Sequence, residues 1–229
     1  VKVRKKLKFY VTLQLNYMSL YSHMLPITFT HILDFIGTFA FAISGIRMAS
    51  SKNFDWFGAY VVGFVTAIGG GTLRDILLNV SPFWMQNPSY VFITAFALLF
   101  VILFRKQIVK LEYTIFTFDT IGLALFTVVG IERTLASGFH FWIAIIMGMM
   151  TGAVGGIIRD ILINEVPLIF RKDIYAMACV AGGVVYFICY KFNCNIILTE
   201  VLSAVAVIAT RVIAVKFHIT LPVLHSEDE

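Results

Sequence analysis

Gly69-Gly70-Gly71-Thr72-Leu73-Arg74-Asp75 closes one apolar run, and Val154-Gly155-Gly156-Ile157-Ile158-Arg159-Asp160 closes another 85 positions later. The same offset pairs Asp34 with Asp119, Gly37 with Gly122, Gly45 with Gly130 and Gly63 with Gly148. It also pairs Thr66 with Thr151, Asn79 with Asn164, Pro82 with Pro167 and Tyr90 with Tyr175, all without a gap. A register held this long marks an internal duplication.

Composition decides the solvent. Of 229 residues, 59% are hydrophobic and 14% charged, with 22 Phe. That much apolar surface does not fit inside one water-soluble core, whereas a spanning helix needs about 20 mostly apolar residues. Seven such runs can be placed: 27–46, a second from 54, 90–104, 114–131, 139–156, 174–190 and 195–215. The expected fold is an all-α integral membrane protein with seven transmembrane helices.

Each copy of the repeat contains three spans. An odd number makes the second copy enter the membrane from the opposite side, so the halves are expected to be inverted repeats. The predicted organisation is a first three-helix repeat over 25–110, a second over 111–193, and a seventh helix over 194–217. A basic extension (1–24) precedes them, and a polar acidic tail (218–229) follows.

The net charge of +5 resides in the extension, as Lys2, Arg4, Lys5, Lys6 and Lys8. The rest of the chain is balanced, so nucleic acid is not an expected partner. Met24, just before Leu25-Pro26, reads as a start site with residues 1–23 upstream of it. Without the extension, the connections on one side carry two basic residues, Arg133 and Lys191, and those on the other carry nine: Arg47, Lys52, Arg105, Lys106, Lys110, Arg171, Lys172, Arg211 and Lys216. The positive-inside rule then places the C-terminus in the cytoplasm. The expected location is a membrane crossed several times.

Three glycines in succession cost about 1 kcal/mol each relative to Ala within a helix. They predict that helices 2 and 5 are broken, at Gly69–Gly71 and at Gly155–Gly156. Broken spans free backbone groups that must be buried or line a hydrated cavity, so these glycines are candidate pore or ion-binding positions. A close helix crossing of the Gly-x-x-x-Gly kind is the other reading, and it covers Gly63 and Ala67. Thr66 and Thr151, one turn earlier, are either back-bonded to the helix or face a pore.

Arg74, Asp75, Arg159 and Asp160 follow the glycines, while Asp34 and Asp119 lie in the opening helix of each repeat. Charges within a span pair with each other or line a pathway. The expected pairing is Asp34 with one repeated arginine and Asp119 with the other. These groups serve either as charged pore residues or as structural latches.

No catalytic constellation is present: there is no Walker-type loop, no nucleophile elbow and no paired histidines. Cys179, Cys189 and Cys194 have no metal spacing and form no disulfide framework. An enzyme, a cofactor and a resident metal are therefore not expected. The ligands left open are a permeant monovalent cation (K+ or Na+) and bound lipid.

The paired Gly-Gly-Gly-x-x-Arg-Asp and Gly-Gly-x-x-Arg-Asp motifs, the Asp-x-x-Gly openings at Asp34 and Asp119, and the layout of three, three and one spans resemble the bacterial branch of the trimeric intracellular cation (TRIC) channel family. The same sequences carry a glycine-transporter label. The resemblance covers roughly residues 25–222. It implies a location in the inner membrane of a bacterial cell, and a homotrimer with a potassium-preferring pore in each subunit whose waist lies at the glycine motifs. Val154 departs from the pattern by replacing the first glycine of the second motif. Inverted repeats fit a secondary transporter of a small amino acid such as glycine as well.

Overall fold

The computed structural model describes residues 29–105 and 113–222. The basic extension, Lys106, Lys110 and the acidic tail beyond 222 lie outside the described residues. The chain divides into two compact units, 1–32 and 33–229. Of the first, the described residues are 29–32, all helical.

Seven long helices are present among the described residues: α1 (Phe29–Ser51), α2 (Trp56–Leu77), α3 (Ser89–Leu103), α4 (Thr114–Ala136), α5 (Phe141–Leu162), α6 (Ala176–Lys191) and α7 (Ile196–Lys216). Five are long and apolar enough to cross a membrane; α3 and α6 are shorter apolar helices. Single turns of helix at Phe83–Gln86 and Leu168–Phe170 follow α2 and α5. The duplication reaches the helix boundaries, since α4 and α5 begin and end 85 residues after α1 and α2.

Helix ends are set by short polar residues. Asp55 caps α2 through Oδ1, which accepts from Gly58 N at 2.6 Å, and Asn195 Oδ1 accepts from Ile197 N at 2.9 Å to cap α7. At the other end, six helices stop in a left-handed residue: Asn53, Asn79, Gly138, Asn164, Asn193 and His218. The next amide then donates back five residues, as Val80 N does to Asp75 O at 2.9 Å and Glu165 N to Asp160 O at 2.8 Å. This is the Schellman closure, and four of its six left-handed positions are filled by Asn, the commonest substitute for Gly there.

The opening helices of the repeats form the interior. Phe41, Ile43 and Ile46 of α1, and Leu123, Val128 and Ile131 of α4, are buried. Their contacts are reciprocal: the Phe126 ring occupies the space beside Gly37, and the Phe41 ring occupies the space beside Gly122. Positions 41 and 126 are themselves 85 apart, so each half offers the same pair of surfaces to the other. Around this centre, exposed Phe, Leu, Ile and Val side chains cover α2, α3, α5, α6 and α7. That outer face is suited to lipid or to another apolar surface.

Candidate functional site

Both glycine motifs are helical throughout. The expected breaks at Gly69–Gly71 and Gly155–Gly156 do not occur, because α2 and α5 run unbroken through them. The glycines remove side chains at a crossing. A Cβ on Gly70 would collide with the Thr151 carbonyl oxygen, and one on Gly155 with the Thr66 carbonyl oxygen. The backbones of α2 and α5 therefore touch through a second reciprocal pair, and the cost of helical glycine is offset by close approach. With both helices intact, Val154 does not make one opening wider than the other.

Thr66 and Thr151 lie at this crossing and are buried. Their hydroxyls donate to Val62 O and Met147 O, each at 2.6 Å, which is the back-bonded arrangement. Gly71 is covered by the Phe83 ring, and Gly156 faces the Tyr175 hydroxyl. The crossing is thus a close approach of two intact helices.

On either side of it stand the repeated Arg-Asp pairs. Asp75 Oδ1 accepts from Arg74 Nε at 2.8 Å while its Oδ2 accepts from Phe83 N at 2.8 Å. Asp160 does the same with Arg159 Nε at 2.8 Å and Leu168 N at 3.1 Å. Each carboxylate ties its own helix to the turn that follows Pro82 or Pro167, satisfying an amide that has no helical partner. Asp75 and Asp160 are latches in this geometry.

The other carboxylates differ between halves. Asp119 Oδ1 accepts from Arg159 Nη1 at 2.5 Å, and the same nitrogen donates to Ser44 Oγ at 2.8 Å. Asp34, expected to hold the other repeated arginine, makes no bond to Arg74. Its Oδ2 accepts from the Tyr90 hydroxyl at 2.6 Å and faces Arg133 Nη2 at 3.5 Å. The cause is a pair of unlike residues at equivalent positions. Arg133 corresponds to Met48, and Ser44 corresponds to Val129, so each half has one polar contact that the other lacks.

Beside Asp119 and Arg159 a cleft of about 320 Å³ opens, lined also by Met48, Arg171, Asp173 and Arg211. Arg211 is buried in α7, with its guanidinium 5.2 Å from the Phe116 ring centre and 5.0 Å from that of Tyr175. Asp119 Oδ2, Arg159 Nη2, Tyr175 Oη and Arg211 Nε make no hydrogen bond among the described residues. They leave a buried set of both acceptors and donors beside the cleft. Sequence reasoning counted Arg133 and Arg211 only as loop charges and noted Tyr90 and Tyr175 only as a repeated pair. A lone arginine within the apolar run of α7 was the available signal for Arg211.

A duplicated bundle of long apolar helices, with buried ionic clusters on both sides of a central crossing, is a multi-pass membrane protein. The family model described as Glycine transporter matches residues 31–106 and again 116–191, once in each half. The UPF0126 inner membrane protein YadS of Escherichia coli K12 is 37% identical over 193 residues, covering 83% of this chain and 93% of that protein. A UPF0126 membrane protein of Vibrio cholerae is 37% identical over 84% of this chain and 81% of its own length. Among solved structures, a TRIC cation channel superposes with a TM-score of 0.77 at 32% identity, covering 86% of this chain and 98% of that one. The Rhodobacter sphaeroides TRIC orthologue gives 0.78 at 34% identity, covering 82% and 98%. The chain belongs to this family, the bacterial branch of the TRIC proteins, whose repeated module is described as Glycine transporter.

Proposed function

We propose that the protein is a monovalent-cation channel, potassium-preferring, assembled as a homotrimer with a pathway in each subunit. The observation that carries this reading is the superposition on solved TRIC cation channels over 98% of their length at 32% and 34% identity. The pathway runs along the cleft beside Asp119 to the crossing of Thr66, Gly70, Thr151 and Gly155, and leaves past Asp34. The crossing is its waist, and its opening requires α2 and α5 to separate.

Seven spans, with the repeats 25–110 and 111–193 inverted, complete the reading. Two contacts support that topology. Lys52, after α1, pairs with Glu165, after α5, at 2.5 Å, and Asp173 bridges to Thr220, after α7. All of these connections fall on one face only when each repeat crosses an odd number of times. That face carries the basic excess and is assigned to the cytoplasm.

The test uses protein in liposomes loaded with potassium chloride, following potassium efflux at a set membrane potential and labelled glycine uptake in parallel. Passive potassium flux proportional to protein is expected. A second reading, a carrier of a small amino acid, is favoured by one observation: the cleft side has an unpartnered carboxylate oxygen on Asp119 together with unpartnered donors on Arg159 and Arg211. That combination complements a zwitterion. Saturable glycine accumulation without potassium conductance would establish it instead.

A further inference from the structure

Each Schellman closure brings the side chains three residues before and two residues after the helix cap together. Across the six helix ends these pairs are Ala49 with Phe54, Asp75 with Val80, Thr134 with Phe139, Asp160 with Glu165, Cys189 with Cys194, and Ala214 with Ile219. At the end of α6, both positions are cysteine. Cys194 N donates to Cys189 O at 3.1 Å, and Asn193 takes the left-handed conformation at φ 53°. Cys189 is buried, Cys194 is exposed, and both are free thiols.

We propose that Cys189 and Cys194 form a redox-active dithiol that closes to a disulfide across the turn joining α6 to α7. The backbone bond already holds the two Cα atoms near the separation a disulfide bridges, usually about 4.4–6.8 Å. Chemistry begins at the exposed sulfur. The Cys194 thiolate attacks a disulfide donor, forming a mixed disulfide and releasing one donor thiol. The Cys189 thiolate then attacks Cys194 Sγ, breaking the mixed bond and releasing the second donor thiol. Two electrons pass to the donor, and the two cysteine protons go to solvent or to the released thiolates. An accessible disulfide of this kind is readily reopened by thiols.

The turn lies between α6 and α7, on the face opposite Lys52 and Glu165 in the topology proposed above, and so in the periplasm. That compartment keeps accessible thiol pairs oxidised. Only the compartment rests on that topology; the chemistry rests on the turn.

Lys191 lies between the two cysteines, which makes the reaction directly readable. The full chain, in nanodiscs, is equilibrated with stepped ratios of oxidised to reduced glutathione, quenched with acid, unfolded in denaturant at neutral pH with N-ethylmaleimide so that buried thiols also react, and digested with trypsin. The reduced protein is expected to take up three maleimides and the oxidised protein one, on Cys179. Oxidised peptides on either side of Lys191 stay joined until reduced. Cys194→Ser, at an exposed position, and Cys189→Ala are each expected to abolish the joined species, with helical content and melting checked by circular dichroism. Three maleimides at every ratio, glutathione retained on Cys194 beside an alkylated Cys189, or a disulfide between two chains would each overturn the proposal. A membrane-impermeant maleimide applied to reduced whole cells tests the compartment separately. Labelling of Cys194 only after permeabilisation would overturn the periplasmic assignment and the topology without touching the dithiol.

Discussion

Arg159 reaches Asp119 at 2.5 Å across two helices of the same half, whereas the ion pair of its repeat equivalent Arg74 among the described residues is with its neighbour Asp75, at 2.7 Å. One half spends its arginine on a tertiary bond, and the other recruits Arg133 to its aspartate. The duplicated chain therefore differs in structure between its two ends, with a cleft beside Asp119 and a Tyr90–Arg133 cluster around Asp34.

Removing one partner of a buried ion pair strands the other charge, at a cost of about 3–5 kcal/mol. Asp119→Ala is accordingly expected to lower the unfolding temperature of the detergent-solubilised protein far more than Lys52→Ala, which touches only an exposed pair. Equal shifts in a thermal melt followed by tryptophan fluorescence would refute this assignment.

Gly69 and Gly70 are adjacent and should behave oppositely. An alanine methyl at 69 meets the flexible tip of Ile158, 2.9 Å from the ideal position, and lies at ordinary contact distance, 3.7 Å, from Gly155 Cα, while one at 70 strikes backbone. Gly69→Ala should be neutral or stabilising by up to about 1 kcal/mol through helix propensity. Gly70→Ala should destabilise and suppress potassium flux. A broken helix would predict similar losses for both, so measuring the two variants side by side separates a crossing from a break.

Tyr90→Phe removes a hydrogen bond to a buried carboxylate and should cost about 1.5–3 kcal/mol. Tyr175→Phe removes a hydroxyl that bonds nothing among the described residues, and its loss should be under about 1 kcal/mol. Chemical denaturation of the two variants reads the difference; the reverse order would show that Tyr175, not Tyr90, holds its half together.

Arg133 sets a positive charge over Asp34 where the other half has methionine. Arg133→Met should raise potassium flux several-fold, and Met48→Arg should lower it by narrowing the cleft beside Asp119. Unchanged flux in both variants would remove these positions from the pathway.

Lys52 beside Glu165 holds that carboxyl below its ordinary value of 4.5. A carboxylate with a lowered folded-state pKa contributes stability above its unfolded value, and loses it as the pH falls through the folded one. The strap between these loops should thus persist at neutral pH and release in acid below the usual glutamate range. Lys52→Gln should move the Glu165 titration upward, as followed by carbon NMR of labelled protein.

How much was legible varies with the range of the interaction. Membrane class, seven helices and the offset of 85 follow from runs of apolar residues and from repetition, which are local properties. The latches at Asp75 and Asp160 were half legible. Their spacing from glycine drew notice, but their second bonds, to Phe83 N and Leu168 N, depend on how the chain turns back after proline. The glycine motif was misread as a break because a propensity cost is visible in one strand of text and the partner helix that repays it is not.

The sequence by itself determined the solvent, the duplication and the helices, because hydrophobic runs and capping residues act over a few positions. Only the tertiary structure decided that the glycines form a crossing, that Asp119 takes Arg159 while Asp34 takes Tyr90 and Arg133, and that Cys189 meets Cys194. The physical reason is common to the first two. Two halves with the same backbone can exchange partners through side chains far apart in sequence, and two differences, Arg133 against Met48 and Ser44 against Val129, shift the polar contacts between them. The cysteine pair is local, yet its meaning appears only once the helix is seen to end in a left-handed turn.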